Sequence, residues 1–248
     1  RSIIFRPTRM LPIQNPPIVH KEHSYTSLSR YPHVVDFNDE VGFQVDAFVS
    51  LTPDITLNLN ASMASRHYAY ELNDNFEMDR IQIGSPLFPS LNEKRSPFWE
   101  LHAEAEYFFK GSESFVKLAL NRRSEILYES LFFFHPVQPQ RLTTIPAQIQ
   151  YVFDRQWSIK FTTESQWVFK YPKDEKFYNH IFGLQVAKSP NISLGVLLEL
   201  TTDDSEPDEK KFWGMIEGSY RIGTGHTITL SYGEERGGLL CSNGLCRQ

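Results

Sequence analysis

The chain has 248 residues, enough for one large domain or two small ones, with 40% hydrophobic and 14% aromatic residues and a mean hydropathy of −0.39. No stretch approaches the roughly 18 consecutive apolar residues that a membrane-crossing helix requires, which excludes helical membrane proteins; a β-barrel, with only every second residue toward lipid, tolerates a hydrophilic average. A net charge of −5 with scattered Lys and Arg excludes an electrostatic surface for nucleic acid.

The chain opens at Arg1 without a charged n-region and apolar h-region, and reads as a mature segment or a fragment. Residues 1–38, with Pro7, Pro12, Pro16, Pro17 and Pro32, follow neither period 2 nor period 3.6 and are expected to form an irregular lead-in or plug. The rest, 39–248, is expected to be a run of β-hairpins ending in a cysteine loop.

From Val41, Phe43, Val45, Ala47 and Val49 alternate with Gln44, Asp46 and Ser50, with Phe48 the one apolar exception; Thr-Pro-Asp turns the chain, and Ile55, Leu57, Leu59, Ala61 and Met63 alternate with polar residues on the way back. The unit recurs. Trp99 to Phe109 turns at Gly-Ser-Glu-Ser into a strand from Phe115; Ile145 to Phe153 turns into Trp157 to Phe161, with Trp167 and Phe169 continuing that face. Phe182 to Val186 turns at Ser-Pro-Asn into Ile192 to Leu200, and Phe212 to Ile222 turns at Gly-Thr-Gly into Ile228 to Tyr232. Short turns near 53, 112, 155, 190 and 224 alternate with longer polar connections at about 70–98, 125–142, 171–177 and 203–210, the habit of outer-membrane barrels. The predicted fold is all-β: an antiparallel up-and-down transmembrane barrel with ten strands in view, an even number, forming all or part of the barrel.

A soluble sandwich or lipocalin-like barrel alternates too. Strand length favours the membrane, since these strands reach ten residues or more, against about 5–6 in globular sheets and about 9–11 for a tilted crossing. Aromatics such as Phe43, Tyr68, Trp99, Tyr107, Trp157, Trp167, Tyr220 and Tyr232 lie toward strand ends, as in an interfacial girdle. The opposite face carries Asp46, Glu100, His102, Glu104, Glu106, Lys117, Lys160, Glu164, Glu217 and Arg221, the candidate lumen lining.

Cys241 and Cys246 flank Ser-Asn-Gly-Leu, where Asn-Gly supplies a tight turn; a local disulfide is expected, with two reduced thiols as the alternative, and two Cys alone supply too few ligands for zinc. The surrounding residues 231–247, Ser-Tyr-Gly-Glu-Glu-Arg-Gly-Gly-Leu-Leu-Cys-Ser-Asn-Gly-Leu-Cys-Arg, resemble the C-terminal region of an uncharacterised family of Bacteroidota outer-membrane β-barrel proteins. That resemblance implies a barrel in the bacterial outer membrane and no established activity. Within the motif, Gly237 and Gly238 permit backbone conformations closed to other residues and, with the cysteine ring, suit a structural role at the barrel mouth.

Chemistry is sparse. His102 between Glu100 and Glu104 could bind a cation but reads first as a wetted lumen wall, and Glu104 with Glu106 makes an ordinary same-face pair. The acidic stretch from Asp203 matches no calcium loop, and the apolar run 131–134 departs from the polar-loop pattern, as a docking or strand-extending segment would. No nucleophile constellation is identifiable, so no enzyme activity, cofactor or metal is expected. The expected function is a passive pore or transport element with a charged lumen; the alternative is a non-conducting structural or assembly partner, plugged by residues 1–38 and in contact with outer-membrane lipids and other envelope proteins.

Overall fold

A computed structural model describes residues 21, 23–31, 33, 40–74, 76–127, 138–171, 174–204, 210–223, 225–237, 240–242 and 245–247. Most of the predicted lead-in, the apolar run 131–134, Gly238 and the side chains of Cys241 and Cys246 lie outside this description.

Alternation sets the strands, and turn chemistry ends them. Strand β1 (Glu40–Thr52) turns at Pro53 and Asp54 into β2 (Ile55–Arg66). A small hairpin follows, β3 (Tyr68–Leu72) and β4 (Met78–Gln82). Strand β5 (Phe98–Phe109) reaches β6 (Ser114–Leu127) through Lys110, Gly111 and Ser112, all at positive φ, where glycine alone is free of strain. Between β7 (Gln138–Val152) and β8 (Trp157–Lys170), the Asp154 carboxylate accepts the amides of Gln156 and Trp157 at 2.8 Å, which closes the turn and draws its pKa below the ordinary carboxylate value. Strands β9 (Glu175–Lys188) and β10 (Ile192–Thr201) meet at residues 189–191, and β11 (Phe212–Ile222) turns into β12 (His226–Gly233). Two short strands, β13 (Leu240–Ser242) and β14 (Leu245–Arg247), pair Cys241 directly opposite Cys246.

Ten strands form one antiparallel sheet in the order β1-β2-β5-β6-β7-β8-β9-β10-β11-β12, so the five hairpins and the up-and-down order read from the sequence are those of the structure. Strands β1 and β12 end the ladder, and every residue of β12 is exposed. The connections differ in detail from their expected form. Residues 70–98 carry the β3–β4 hairpin rather than a plain polar loop, because Tyr68, Tyr70 and Leu72 extend the alternation past Arg66. Strands β6 and β7 run on to Leu127 and from Gln138, which shortens the expected 125–142 connection at both ends. Pro146 sits inside β7; the ladder to β8 runs on past it, while the ladder to β6 skips the positions opposite, where a proline has no N–H to give.

The sheet is inverted relative to a soluble one. Its outward side chains are apolar and open to the surroundings, among them Leu101 at 54%, Leu118 at 55%, Leu194 at 53% and Ile216 at 51% exposure. The other face buries Glu100, Asn121, Gln140 and Thr144 completely. Withdrawing a Leu or Ile side chain from water contributes roughly 1.5–3 kcal/mol. A sheet that hides carboxylates and amides while displaying its leucines gives that contribution up on the whole outer side.

Candidate functional site

Register alone gathers the polar residues. Successive ladders place Asp46, Asn60, His102, Asn121, Thr144, Gln166, Asn179 and Thr201 opposite one another in a single row across eight strands. Side chains bond along it: Asn60 donates to Asp46 at 2.8 Å, Gln166 to Thr144 at 3.1 Å, Asn179 to Gln166 at 2.9 Å, and the Thr201 hydroxyl to Asn179 at 2.7 Å. All ten candidate lining residues occupy this face: Glu100 and Glu104 flank His102 on β5, Glu106 pairs with Lys117 at 2.9 Å, Glu164 lies on β8, and Lys160 and Glu217 share a row nearer the short turns with Arg221 beyond.

A segment at the start of the described chain lies across this face. It contains one turn of helix, α1 (Thr26–Ser29), and meets β2, β5, β8 and β10 by hydrogen bonds and β1 through an ion pair. Lys21 donates to Asn58 at 2.9 Å and stands 3.8 Å from Asp46; His23 is paired with Glu100; the Tyr25 hydroxyl donates to Glu104 at 2.7 Å. The N-cap side chain makes no capping bond, and the Glu164 carboxylate of β8 accepts the free amides of Thr26 and Ser27 at 3.0 and 2.7 Å instead. Arg30 reaches Glu199 on β10 at 2.6 Å and also donates to the carbonyls of Arg236 and Gly237, both at 3.3 Å. Apolar contacts complete the docking: Tyr25 and Leu28 pack with Ala119, and Tyr31 packs against Leu142, Val168 and Phe177. Burial, followed by the hydrogen bond to Glu104, drives the Tyr25 pKa far above its ordinary value, so the hydroxyl stays a donor.

Most of the inward carboxylates therefore have a partner, Glu217 being the exception among the described residues. Glu100 also accepts from Asn121 at 2.7 Å; Glu125 pairs with Arg123 and accepts from Gln140 at 2.5 Å; Glu199 holds Arg236 at 3.4 Å besides Arg30. Glu100 commits one carboxylate oxygen to His23 and Asn121, and Glu104 commits one to Tyr25. The His102 ring lies 4.6 Å from that of His23, and among the described residues no group of three His, Cys, Asp or Glu side chains is arranged to hold a metal ion. Reasoning from sequence set Asn60, Asn121 and Glu199 on the polar side of their strands without choosing them as lining residues, and did not single out His23, Arg30, Gln140, Gln166 or Asn179; amides at the same parity were a readable signal, and the docking of α1 was not.

Gly237 contributes its carbonyl to Arg30. No curated protein and no solved structure matches this chain. A family model described as a family of unknown function, DUF6029, matches residues 8–248.

Proposed function

The chain belongs to this family of unknown function, and from that premise we propose that it is a β-barrel protein of the bacterial outer membrane, its apolar face in lipid and its polar face closed around a lumen held shut by the α1 segment. The reading is carried by the inversion of polarity: apolar side chains outward, buried carboxylates and amides inward. In lipid, unpaired strand edges are not tolerated, so on this reading β1 and β12, which end the ladder, pair with each other or with further strands. The alternation of short turns with longer connections follows the same habit. The Bacteroidota setting implied by the C-terminal motif is part of the proposal.

The contacts of α1 favour the non-conducting version over an open pore: a barrel sealed at rest, acting as a structural or assembly partner for other envelope proteins. The inward carboxylates serve as anchors for the segment rather than as catalytic groups, and the reading is non-enzymatic.

Detergent-extracted protein should run at two mobilities with and without boiling, and its β circular dichroism should depend on detergent; full solubility without detergent would overturn the membrane reading. Planar-bilayer recordings of the intact protein should be silent, whereas steady conductance would restore the open pore. The backbone pairing of Cys241 with Cys246 supports a disulfide at the barrel mouth. Unreduced protein should then resist alkylation and weigh two hydrogens less than reduced protein, and two alkylated thiols without reductant would leave the loop unlinked.

A further inference from the structure

Between α1 and the short turns the interior opens into a cavity of about 410 Å³, roofed by Ser24, Tyr25 and Thr26. We propose that it binds a neutral, polyhydroxylated ligand of sugar size. The inference rests on the cavity alone and not on the lipid reading of the outer face.

The walls supply mixed hydrogen-bonding chemistry. Gln148 and Gln185 offer amides, Thr162 and Ser193 hydroxyls, Lys160 an ammonium and Glu217 a carboxylate. Register sets Lys160, Gln185, Gly195 and Glu217 in one row, with the ammonium and the carboxylate at its two ends. Neither Lys160 nor Glu217 has an ion-pair partner among the described residues, while the neighbouring Lys117 is taken by Glu106.

Each charged class of ligand meets an obstacle. An anion would face Glu217 and Glu164, a cation would face Lys160, and an apolar ligand would strand the amides and hydroxyls without partners. A molecule with no net charge that donates and accepts along its edges and turns C–H faces to Ile181, Leu197 and Met215 satisfies these walls.

Glycine keeps the space open. Gly183 and Gly195 both line the cavity, although glycine inside a strand weakens it relative to Ala. Neither is forced by packing. A Cβ at Gly195 would meet only the Leu184 and Glu217 carbonyl oxygens, at 3.9 and 4.0 Å, and one at Gly183 would come no closer than 3.6 Å to Thr162. Glycines that the protein's own atoms do not require mark a place where another molecule approaches.

Saturation-transfer NMR on the detergent-solubilised protein, with maltose as probe and sulfate as competitor, tests this. Maltose should receive saturation, sulfate should not displace it, and Gly195→Leu, which fills the cavity, should weaken binding on the order of tenfold while the protein keeps its circular dichroism. If Gly195→Leu misfolds, Gln185→Leu, which removes a donor and an acceptor from the wall, serves in its place with the same expected loss. Absence of transfer to maltose, displacement by sulfate, or binding undiminished in the folded variants would each overturn the proposal.

Discussion

Leu194→Arg should destabilise the embedded protein by about 1–2 kcal/mol, between the roughly 2–4 of a cationic side chain at the bilayer midplane and the roughly 0–1 of one at the interface, since Leu194 is the third residue of β10. Leu194 lies within β10, paired with Val186 and Gly218, and is 53% exposed on the outward face. On a water-facing sheet the same substitution would remain within about 0.5 kcal/mol and improve solubility, so lipid and water predict different outcomes at one residue. Urea unfolding of liposome-reconstituted protein supplies the measurement: the midpoint should fall with the slope unchanged. A neutral Leu194→Arg would refute the lipid-facing assignment of the outer side. With total stabilities of about 5–15 kcal/mol, the expected loss is large enough to reduce the inserted fraction as well.

The doubly substituted Glu164→Leu, Arg30→Met protein should conduct where the intact protein is silent. Glu164 alone accepts the amides of Thr26 and Ser27 from the wall, and Arg30 ties the end of α1 to Glu199. Losing the acceptor leaves each buried amide short of a partner, at about 1–3 kcal/mol apiece. Breaking a buried ion pair costs about 3–5 kcal/mol, reduced here because Arg236 remains 3.4 Å from Glu199. The sheet itself is spared, since the hydrogen bonds of the Glu164 carboxylate run to α1 and not to neighbouring strands. The loss therefore falls on the segment. Bilayer recording reads the conductance, and limited proteolysis reports whether residues around α1 have come away from the wall. A double variant that releases the segment yet remains silent would mean that something other than α1 closes the lumen.

The strands were readable in the sequence because each hairpin keeps a strict period of two between turn signals such as Thr-Pro-Asp and Ser-Pro-Asn. Register carries charged residues onto one face without further information, which is why Asp46 and Arg221, near opposite ends of the sheet, share a face of the ladder as their parity implies. The β3–β4 hairpin was hidden by its shortness and by the mixed composition of residues 73–77. The docking of α1 was hidden for a different reason: Lys21, His23, Tyr25 and Arg30 meet partners 37, 77, 79 and 169 positions away, and no local pattern encodes such pairings. Composition marked residues 1–38 as an irregular segment, but showed neither the helical turn at Thr26–Ser29 nor which wall residues would receive it.

The strand order fixes a sequence of events in time. Every ladder in the main sheet joins strands that follow one another along the chain, apart from the step from β2 to β5 around a small hairpin, so the sheet can assemble by successive closures of short loops, each with a small entropic cost. The α1 segment is different. Its binding surface is composed of β1, β2, β5, β8 and β10 together, and does not exist until the wall between them is in place. The first described residues of the chain are therefore the last to reach their native contacts, and until they do the polar face that receives them stays uncovered.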